Sequence, residues 1–382
     1  MINYELIHAP SLFDGEAFLL EQTLLINRDN DLIEAIFNPK NREDRKAIST
    51  LSPNIPQSTI TGILTPGFID LQVNGGGGIL FNDEPTLDGL KTILNAHLSI
   101  GTHALLPTLI TPTDEVIMQA LDAIEAGIKA NLNGLLGIHL EGPMINPLRK
   151  GIHKEENIHI PGEAVLTRLI EANGRFGHIL ITLAPETVPM ALIKRLTDAG
   201  ITVFAGHTKA DPDTLNAAKL SGLSGFTHLY NAMPPMESRN PGTLGFAITD
   251  ETSYASIIHD GYHIDPIMVK LAIEAKPDGK LFLITDAMAT TGSDLKKFIL
   301  DGKEIYYNKG RLVDHNGTLA GAHLSLATAV INTHQLGYSL EKSIKMASLY
   351  PAMAIQNTHY GKIKKGYRAA FNRYDEGQFF PL

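Results

Sequence analysis

The sequence predicts an α/β fold, a (β/α)8 barrel, on three observations. From Ile60 onward, short apolar runs alternate with amphipathic helical segments, the order that a parallel sheet with helical crossovers requires. Eight such runs fall within roughly 250 residues, the length that a closed barrel of this kind takes. Four of the runs end abruptly in polar residues, at Glu141-Gly142-Pro143, Gly206-His207-Thr208, Thr227-His228 and Thr285-Asp286, and barrel enzymes build their sites at the carboxyl ends of strands. A doubly wound open sheet is the alternative. It lacks its mark here, since no dinucleotide-type glycine turn leads from the first strand into a helix.

Before the barrel, Ile2 to His8, Glu16 to Ile26 and Leu32 to Phe37 read as short strands, separated by Ser11, Asp14-Gly15 and Asp29-Asn30. The polar stretch Asn38 to Ser58, with Pro39, Pro53 and Pro56, reads as a loop and a domain boundary. The barrel strands are expected at Ile69 to Val73, Ala104 to Leu109, Leu135 to Leu140, Ile179 to Leu183, Ile201 to Phe204, Leu223 to Thr227, Ala255 to Ile258 and Leu281 to Thr285. Among the helices between them, Asp114 to Ala130 carries Val116, Ile117, Ala120, Leu121, Ile124 and Ile128 on one face, behind Thr113 as N-cap. Pro266 to Ala275 reads likewise.

Composition narrows the function classes. In 382 residues, 43% hydrophobic and 19% charged, there is material for one large core with a smaller unit beside it. A net charge of -9 argues against nucleic acid and gives no sign of a membrane partner. With no cysteine, disulfides and thiolate metal sites are excluded, so a metal must be held by His, Asp or Glu. The segment Met1 to Leu6 lacks the features of a signal peptide and no apolar run reaches membrane length, so a cytoplasmic location is expected.

The stretch Leu135 to Pro143 is read as a buried strand that delivers Glu141 to the barrel mouth, stopped by Gly142 and Pro143. His207, His228 and Asp286 arrive at the same rim. Two imidazoles and one carboxylate leave a coordination position open on Zn²⁺ or a similar ion, as in catalytic rather than structural sites. Asp286 is then free to move protons. A single histidine is more often structural, and the chain has 15. His139 is the nearest competitor, on the same side as Glu141 but one layer deeper.

These residues sit in an ordered set of motifs: Pro66-Gly67-Phe68-Ile69-Asp70-Leu71-Gln72-Val73-Asn74-Gly75, His139-Leu140-Glu141-Gly142-Pro143, Gly206-His207-Thr208, Thr227-His228-Leu229-Tyr230-Asn231-Ala232-Met233 and Thr285-Asp286-Ala287. The set resembles the N-acetylglucosamine-6-phosphate deacetylases of the amidohydrolase superfamily over nearly the whole length. The resemblance implies a TIM barrel over 60–355 and a small β-sandwich domain formed by both termini, 1–59 and 356–382, with Gly361 to Phe371 pairing with the first sixty residues.

It also implies roles. Glu141, His207 and His228 would hold one divalent metal, zinc first, with iron, cobalt or manganese as alternatives. Asp286 would act as general base and acid, and His153 would contact the substrate carbonyl. Arg239 and His263 match phosphate-binding positions, and Asn231, Ala232, Leu319, Ala320 and Gly321 would complete the sugar pocket. Members are commonly dimers in which a neighbouring subunit closes the phosphate end, so a homodimer is expected.

Two departures stand out. Gln72 and Asn74 occupy the first-strand positions where many superfamily members carry a His-x-His pair for an additional metal, so that site should be weak or absent. Asn74-Gly75-Gly76-Gly77-Gly78 replaces a segment in which many relatives carry a cysteine, and its glycines allow either close backbone approach or a mobile loop. The expected reaction is hydrolysis of the acetamide of N-acetyl-D-glucosamine 6-phosphate in amino-sugar catabolism, by water activated on the metal. The galactosamine epimer is an alternative, and a catalytically inactive barrel acting as a scaffold or regulatory subunit is one of another class.

Overall fold

Eight parallel strands follow one another in chain order around the sheet: Phe68–Val73, Thr102–Ile110, Gly137–Glu141, His178–Leu183, Thr202–Ala205, Gly225–Phe226, Tyr254–Ile258 and Leu281–Ile284. This is a computed structural model, and it describes residues 3–382. Each strand lies within a few residues of its predicted position, because nearly every strand residue is buried and a continuous apolar run is what such burial selects.

A helix follows each strand, from Leu87–Leu98 after the first to Leu326–Gln335 after the eighth, where Leu340–Ala347 and Leu349–Ala354 are added. The helix predicted at Asp114 to Ala130 spans Asp114–Lys129, with the Thr113 hydroxyl accepting from the Val116 amide; Pro266–Ala275 falls where expected.

The first and eighth strands do not share a regular ladder. They are joined at their carboxyl ends, where the Asp286 amide donates to the Gln72 carbonyl at 3.1 Å and the Asn74 and Gly75 amides donate to the Ala287 carbonyl at 2.9 and 3.0 Å. The glycine run completes this seam, its Gly77 and Gly78 amides donating to Thr291 and Ala289 carbonyls. A Cβ on Gly75 would stand 2.2 Å from the Ile79 carbonyl oxygen, and one on Gly76 would stand 2.9 Å from the buried His97 ring. Close backbone approach, rather than a loose connection, is therefore what these two glycines serve.

Both chain ends contribute to a second β domain, a seven-stranded sheet. Tyr4–Phe13, Phe18–Asn27 and Leu32–Phe37 pair with one another in turn; Ile63–Pro66 lies beside the first of these and pairs on its other edge with Phe371–Asp375 near the carboxyl terminus. The segment before that last strand folds back too, for Gly366 donates to Ile33 and Ile33 to Tyr367. Leu12, Leu24, Ile26, Ile33, Leu64, Ile363 and Phe371 form its core. Asn372 ties this domain to the barrel, donating to the Gly101 carbonyl at 2.8 Å and meeting His103 at 3.1 Å.

Two regions differ from the sequence reading. The stretch read as a loop contains the helix Arg42–Ser49, capped by Asn41, whose side chain accepts from the Glu43 and Asp44 amides. It buries no residue, so it has no apolar stripe by which periodicity could reveal it. Between the eighth strand and the last helices lies a four-stranded antiparallel sheet, Lys297–Leu300, Lys303–Asn308, Arg311–Val313 and Leu319–Ala322. Its first two turns, Asp301-Gly302 and Lys309-Gly310, both have positive φ at each residue, the chemistry of a tight hairpin. That sheet delivers Leu319 and Gly321 to the barrel mouth.

Candidate active site

Glu141 is the last residue of the third strand, and His207, His228 and Asp286 follow the fifth, sixth and eighth strands within two residues. The latter three have φ of 48°, 34° and 54°. Side chains other than glycine adopt this left-handed region at a cost of about 1–3 kcal/mol each, and such residues gather where a site over-determines the backbone. Neighbouring groups hold them: the His228 amide donates to Ser256 Oγ at 2.8 Å, and the His207 carbonyl accepts from Asn146 at 3.0 Å.

Glu141, His207 and His228 converge, and their ligand atoms all lie within 4.8 Å of one another. Glu141 Oε1 is 2.8 Å from His228 Nε2 and 3.2 Å from His207 Nε2, and the two ring nitrogens face each other at 3.0 Å. His207 Nδ1 lies 2.8 Å from the Arg149 carbonyl, which can only accept, so Nδ1 donates there and Nε2 is the ring nitrogen turned to the cluster. A carboxylate and two imidazole nitrogens facing one another in a buried pocket form a donor set for a cation, and the chemistry of the set fits a divalent metal.

The electrostatics agree. Burial pushes the Glu141 carboxyl up, but hydrogen bonds from His207 and His228 outweigh burial and hold it well below the usual carboxylate range. Burial likewise opposes charge on His228, yet its hydrogen bond to Glu141 raises its pKa above the ordinary value. Asp286 is pushed up to about 6, by burial first and then by the charge on Glu141. His153 is held down at about 3, by burial and then by His207, and so is neutral. Its Nδ1 is hydrogen-bonded to the Thr111 hydroxyl and its Nε2 lies 3.7 Å from Glu141 Oε2.

A cavity of about 390 Å³ opens over these groups, lined by Glu141, His153, His207, His228 and Asp286 together with Asn231, Ala232, His263, Leu319 and Gly321. Two residues expected in the pocket are elsewhere. Arg239 lies exposed in the Glu237–Asn240 turn, because the chain turns outward after Met233. Ala320 is buried beneath the mouth, since alternation along its strand points it to the opposite side from Leu319 and Gly321. His139 stays one layer down, its Nε2 at 2.7 Å from Thr182 Oγ1, and burial holds it neutral with a pKa of about 4.

Several residues of the site escaped the sequence reading. Thr111 supports His153, and Asp260 supports His263 through an Oδ2 to Nδ1 contact of 2.7 Å. The Asp260-Gly261 turn, three residues ahead of His263, is the signal that could have found the second. Gln72 and Asn74, considered for metal binding alone, act as amide donors: Gln72 Nε2 reaches Glu141 Oε1 at 2.9 Å and Asp286 Oδ1 at 3.1 Å. Asp70 lies beneath them, fully buried, accepting from the Gln72 and Thr285 amides.

Known proteins resemble this chain along most of its length. Residues 63–375 match the model of the amidohydrolase family. The chain is 41% identical over 320 residues to an N-acetylgalactosamine-6-phosphate deacetylase of Shewanella sp. (strain ANA-3), covering 83% of this chain and 80% of that protein. It is 36% identical to an N-acetylglucosamine-6-phosphate deacetylase of Haemophilus influenzae, covering 82% and 85%. A crystal structure of N-acetylglucosamine-6-phosphate deacetylase from Pasteurella multocida superposes with a TM-score of 0.90 at 32% identity, covering 99% of this chain and 97% of that one.

Proposed function

Because the chain belongs to the amidohydrolase family, we propose that it hydrolyses the acetamide of N-acetyl-D-glucosamine 6-phosphate, releasing acetate and D-glucosamine 6-phosphate. The observation that carries this reading is one cavity that holds a metal-ligand cluster, Glu141, His207 and His228, beside a buried carboxylate, Asp286, and a carboxylate-supported imidazole, His263. A scaffold or regulatory barrel would have no use for all of these.

Glu141, His207 and His228 would hold one divalent ion, with Zn²⁺ the first choice and Fe²⁺, Co²⁺ or Mn²⁺ suited to the same donors. Such an ion, when bound, supplies Lewis acidity toward a carbonyl and makes water nucleophilic near neutral pH.

The chain's own residues do the rest. Asp286 accepts the proton of the attacking water and passes it to the amine nitrogen as the C–N bond breaks, so the amine leaves neutral and the acetic acid formed ionises to acetate. His153, neutral and supported at Nδ1 by Thr111, offers an Nε2 proton to the carbonyl oxygen as charge develops there. His263, supported by Asp260, serves the phosphate. The backbone at Asn231-Ala232 and Leu319-Gly321 frames the sugar.

Arg239 is exposed on its own chain, so within this reading it serves the phosphate end of a neighbouring subunit in a homodimer. A cytoplasmic location belongs to the same proposal; among the described residues, no helix is long and apolar enough to cross a membrane.

The galacto epimer is a second reading, favoured by the 41% identical relative that bears that name. The two differ in one hydroxyl orientation, which a single pocket contact can discriminate. Acetate release should be measured from both 6-phosphates and from unphosphorylated N-acetylglucosamine, on protein of known metal content. Faster turnover of the gluco phosphate supports the first reading, and faster turnover of the galacto phosphate transfers the assignment to the epimer. No release by protein with a full metal site would defeat both.

A further inference from the structure

We propose that a cleft at the opposite end of the barrel, between the barrel floor and the terminal domain, is a second binding site for a small phosphate-bearing anion. The cleft measures about 480 Å³ and its rim carries Arg175, His178, His359 and Arg368 over an apolar floor that includes Leu132 and Leu136. It opens where the third and fourth strands begin, at Gly137 and His178, and so lies a full strand length from the catalytic mouth.

The polar groups come from two walls. Arg175 and His178 belong to a tight turn closed by the Gly174 amide on the Gly177 carbonyl at 2.8 Å. His359 and Arg368 are brought together on the other wall, where the Arg368 amide donates to the His359 carbonyl at 2.9 Å and Arg368 also bridges to Leu32 of the terminal domain. The Asn357 side-chain amide, 3.4 Å from His178 Nε2, links the two walls.

Among the described residues, no carboxylate lines this cleft. Elsewhere Arg28, Arg168, Arg195 and Arg373 each reach an acidic partner. Among the described residues Arg175 reaches none, stacking instead on the Phe176 ring at 4.9 Å, and Arg368 spends one nitrogen on the Asn30 carbonyl. In a chain of net charge -9, a cleft lined only by cationic and neutral groups reverses the local field and selects an anion. Two arginines line the cleft, one from each wall, and a guanidinium suits phosphate because its planar fork can donate to two oxygens at once. Burial, and after it the neighbouring His359, hold the His178 pKa below its ordinary value, so the fixed positive charge of the cleft rests on the two arginines.

The volume exceeds that of the catalytic cavity, so a phosphorylated metabolite of sugar size fits. Because the walls belong to the barrel and to the segment packed on the terminal domain, such a ligand would also hold the two together.

The test is equilibrium binding of inorganic phosphate to the full-length, metal-loaded protein and to its Arg175→Ser/Arg368→Ser variant, at constant ionic strength. We expect the variant to bind one phosphate fewer per chain, or to bind it at least tenfold more weakly, with turnover unchanged and the phosphate-dependent rise in melting temperature lost. Equal stoichiometry and affinity in the two proteins would overturn the proposal. Citrate separates phosphate from carboxylate ligands: if it displaces phosphate from this cleft with higher affinity, the assignment to a phosphate compound fails. Arg175→Ser alone, at an exposed position, gives the same reading should the double variant fold poorly.

Discussion

The side-chain amide of Asn74 donates to Asp286 Oδ1 at 2.7 Å. Gln72 donates to the same oxygen at 3.1 Å and to Glu141 as well. One oxygen of Asp286 is thereby committed to two fixed donors, and the residue's left-handed backbone turns the carboxylate toward the cavity. The first strand thus contributes hydrogen bonds that orient the proposed base.

Asn74→Ala removes a hydrogen bond to a carboxylate, worth about 1.5–3 kcal/mol. Turnover should fall about 10- to 100-fold with KM and metal content little changed. Asp286→Asn, which removes the proton-carrying group itself, should cost about 10²- to 10⁴-fold while metal stays bound. Steady-state kinetics with metal analysis checks both. Turnover in Asp286→Asn equal to that of the unaltered protein would remove Asp286 from the proton-transfer role.

Chelation should abolish turnover without unfolding the protein. Glu141, His207 and His228 lie within hydrogen-bonding distance of one another and are embedded in a continuous core, so their removal from a metal leaves a paired rather than an isolated buried charge. Circular dichroism before and after chelation, followed by metal repletion, is the measurement. Loss of structure on chelation would show the ion to be a folding determinant.

Asp70 gives a stability prediction with a definite sign. Burial, the largest influence, lifts its folded-state pKa to about 7 from 3.8, against the hydrogen bond from the Thr285 hydroxyl. Between about pH 4 and 7 the folded protein therefore holds a proton that the unfolded chain has released, and stability from this group declines as pH rises through that window. Asp70→Asn mimics the protonated form. Its melting temperature relative to the unaltered protein should rise from pH 5 to pH 8; a difference independent of pH would refute the assignment.

Thr182 joins His139 to Thr227, at 2.7 and 2.6 Å, in a polar layer under Glu141, His207 and His228. Thr182→Val keeps the shape but leaves His139 Nε2 buried without its partner, at a cost of about 1–3 kcal/mol. Denaturant unfolding should register that loss. Unchanged stability would mean that the ring finds another partner.

The barrel was legible in the sequence because strands buried on both faces must be apolar throughout, and because the residues that end them, Glu141, His207, His228 and Asp286, break that pattern sharply. What escaped has physical causes. Arg42–Ser49 buries nothing, so only its Asn41 cap marked it. In the sheet from Lys297 to Ala322 burial alternates where hydropathy does not: Ile299 is exposed at 61% between buried Phe298 and Leu300, and the apolar run hides the period-2 pattern. Arg239 was placed by its position in an ordered motif, which specifies neighbours along the chain but not the direction in which an exposed turn projects. Gln72 and Asn74 look like lost metal ligands in one dimension; their use as donors depends on the eighth strand, more than 200 residues away, arriving alongside.

The seam between the first and eighth strands has a consequence for how this scaffold can change. It is built from the backbone of Gln72, Asn74, Gly75, Asp286 and Ala287, so the residues that close the wall are neighbours of, or identical with, those that line the cavity. A variant selected for a new acyl group at this corner risks losing closure along with chemistry. The turns after the fifth and sixth strands sit on regular ladders, so apart from His207 and His228 their residues bear no such double duty. Substrate range should therefore drift, in natural divergence or in a directed library, on the side of the mouth away from the seam.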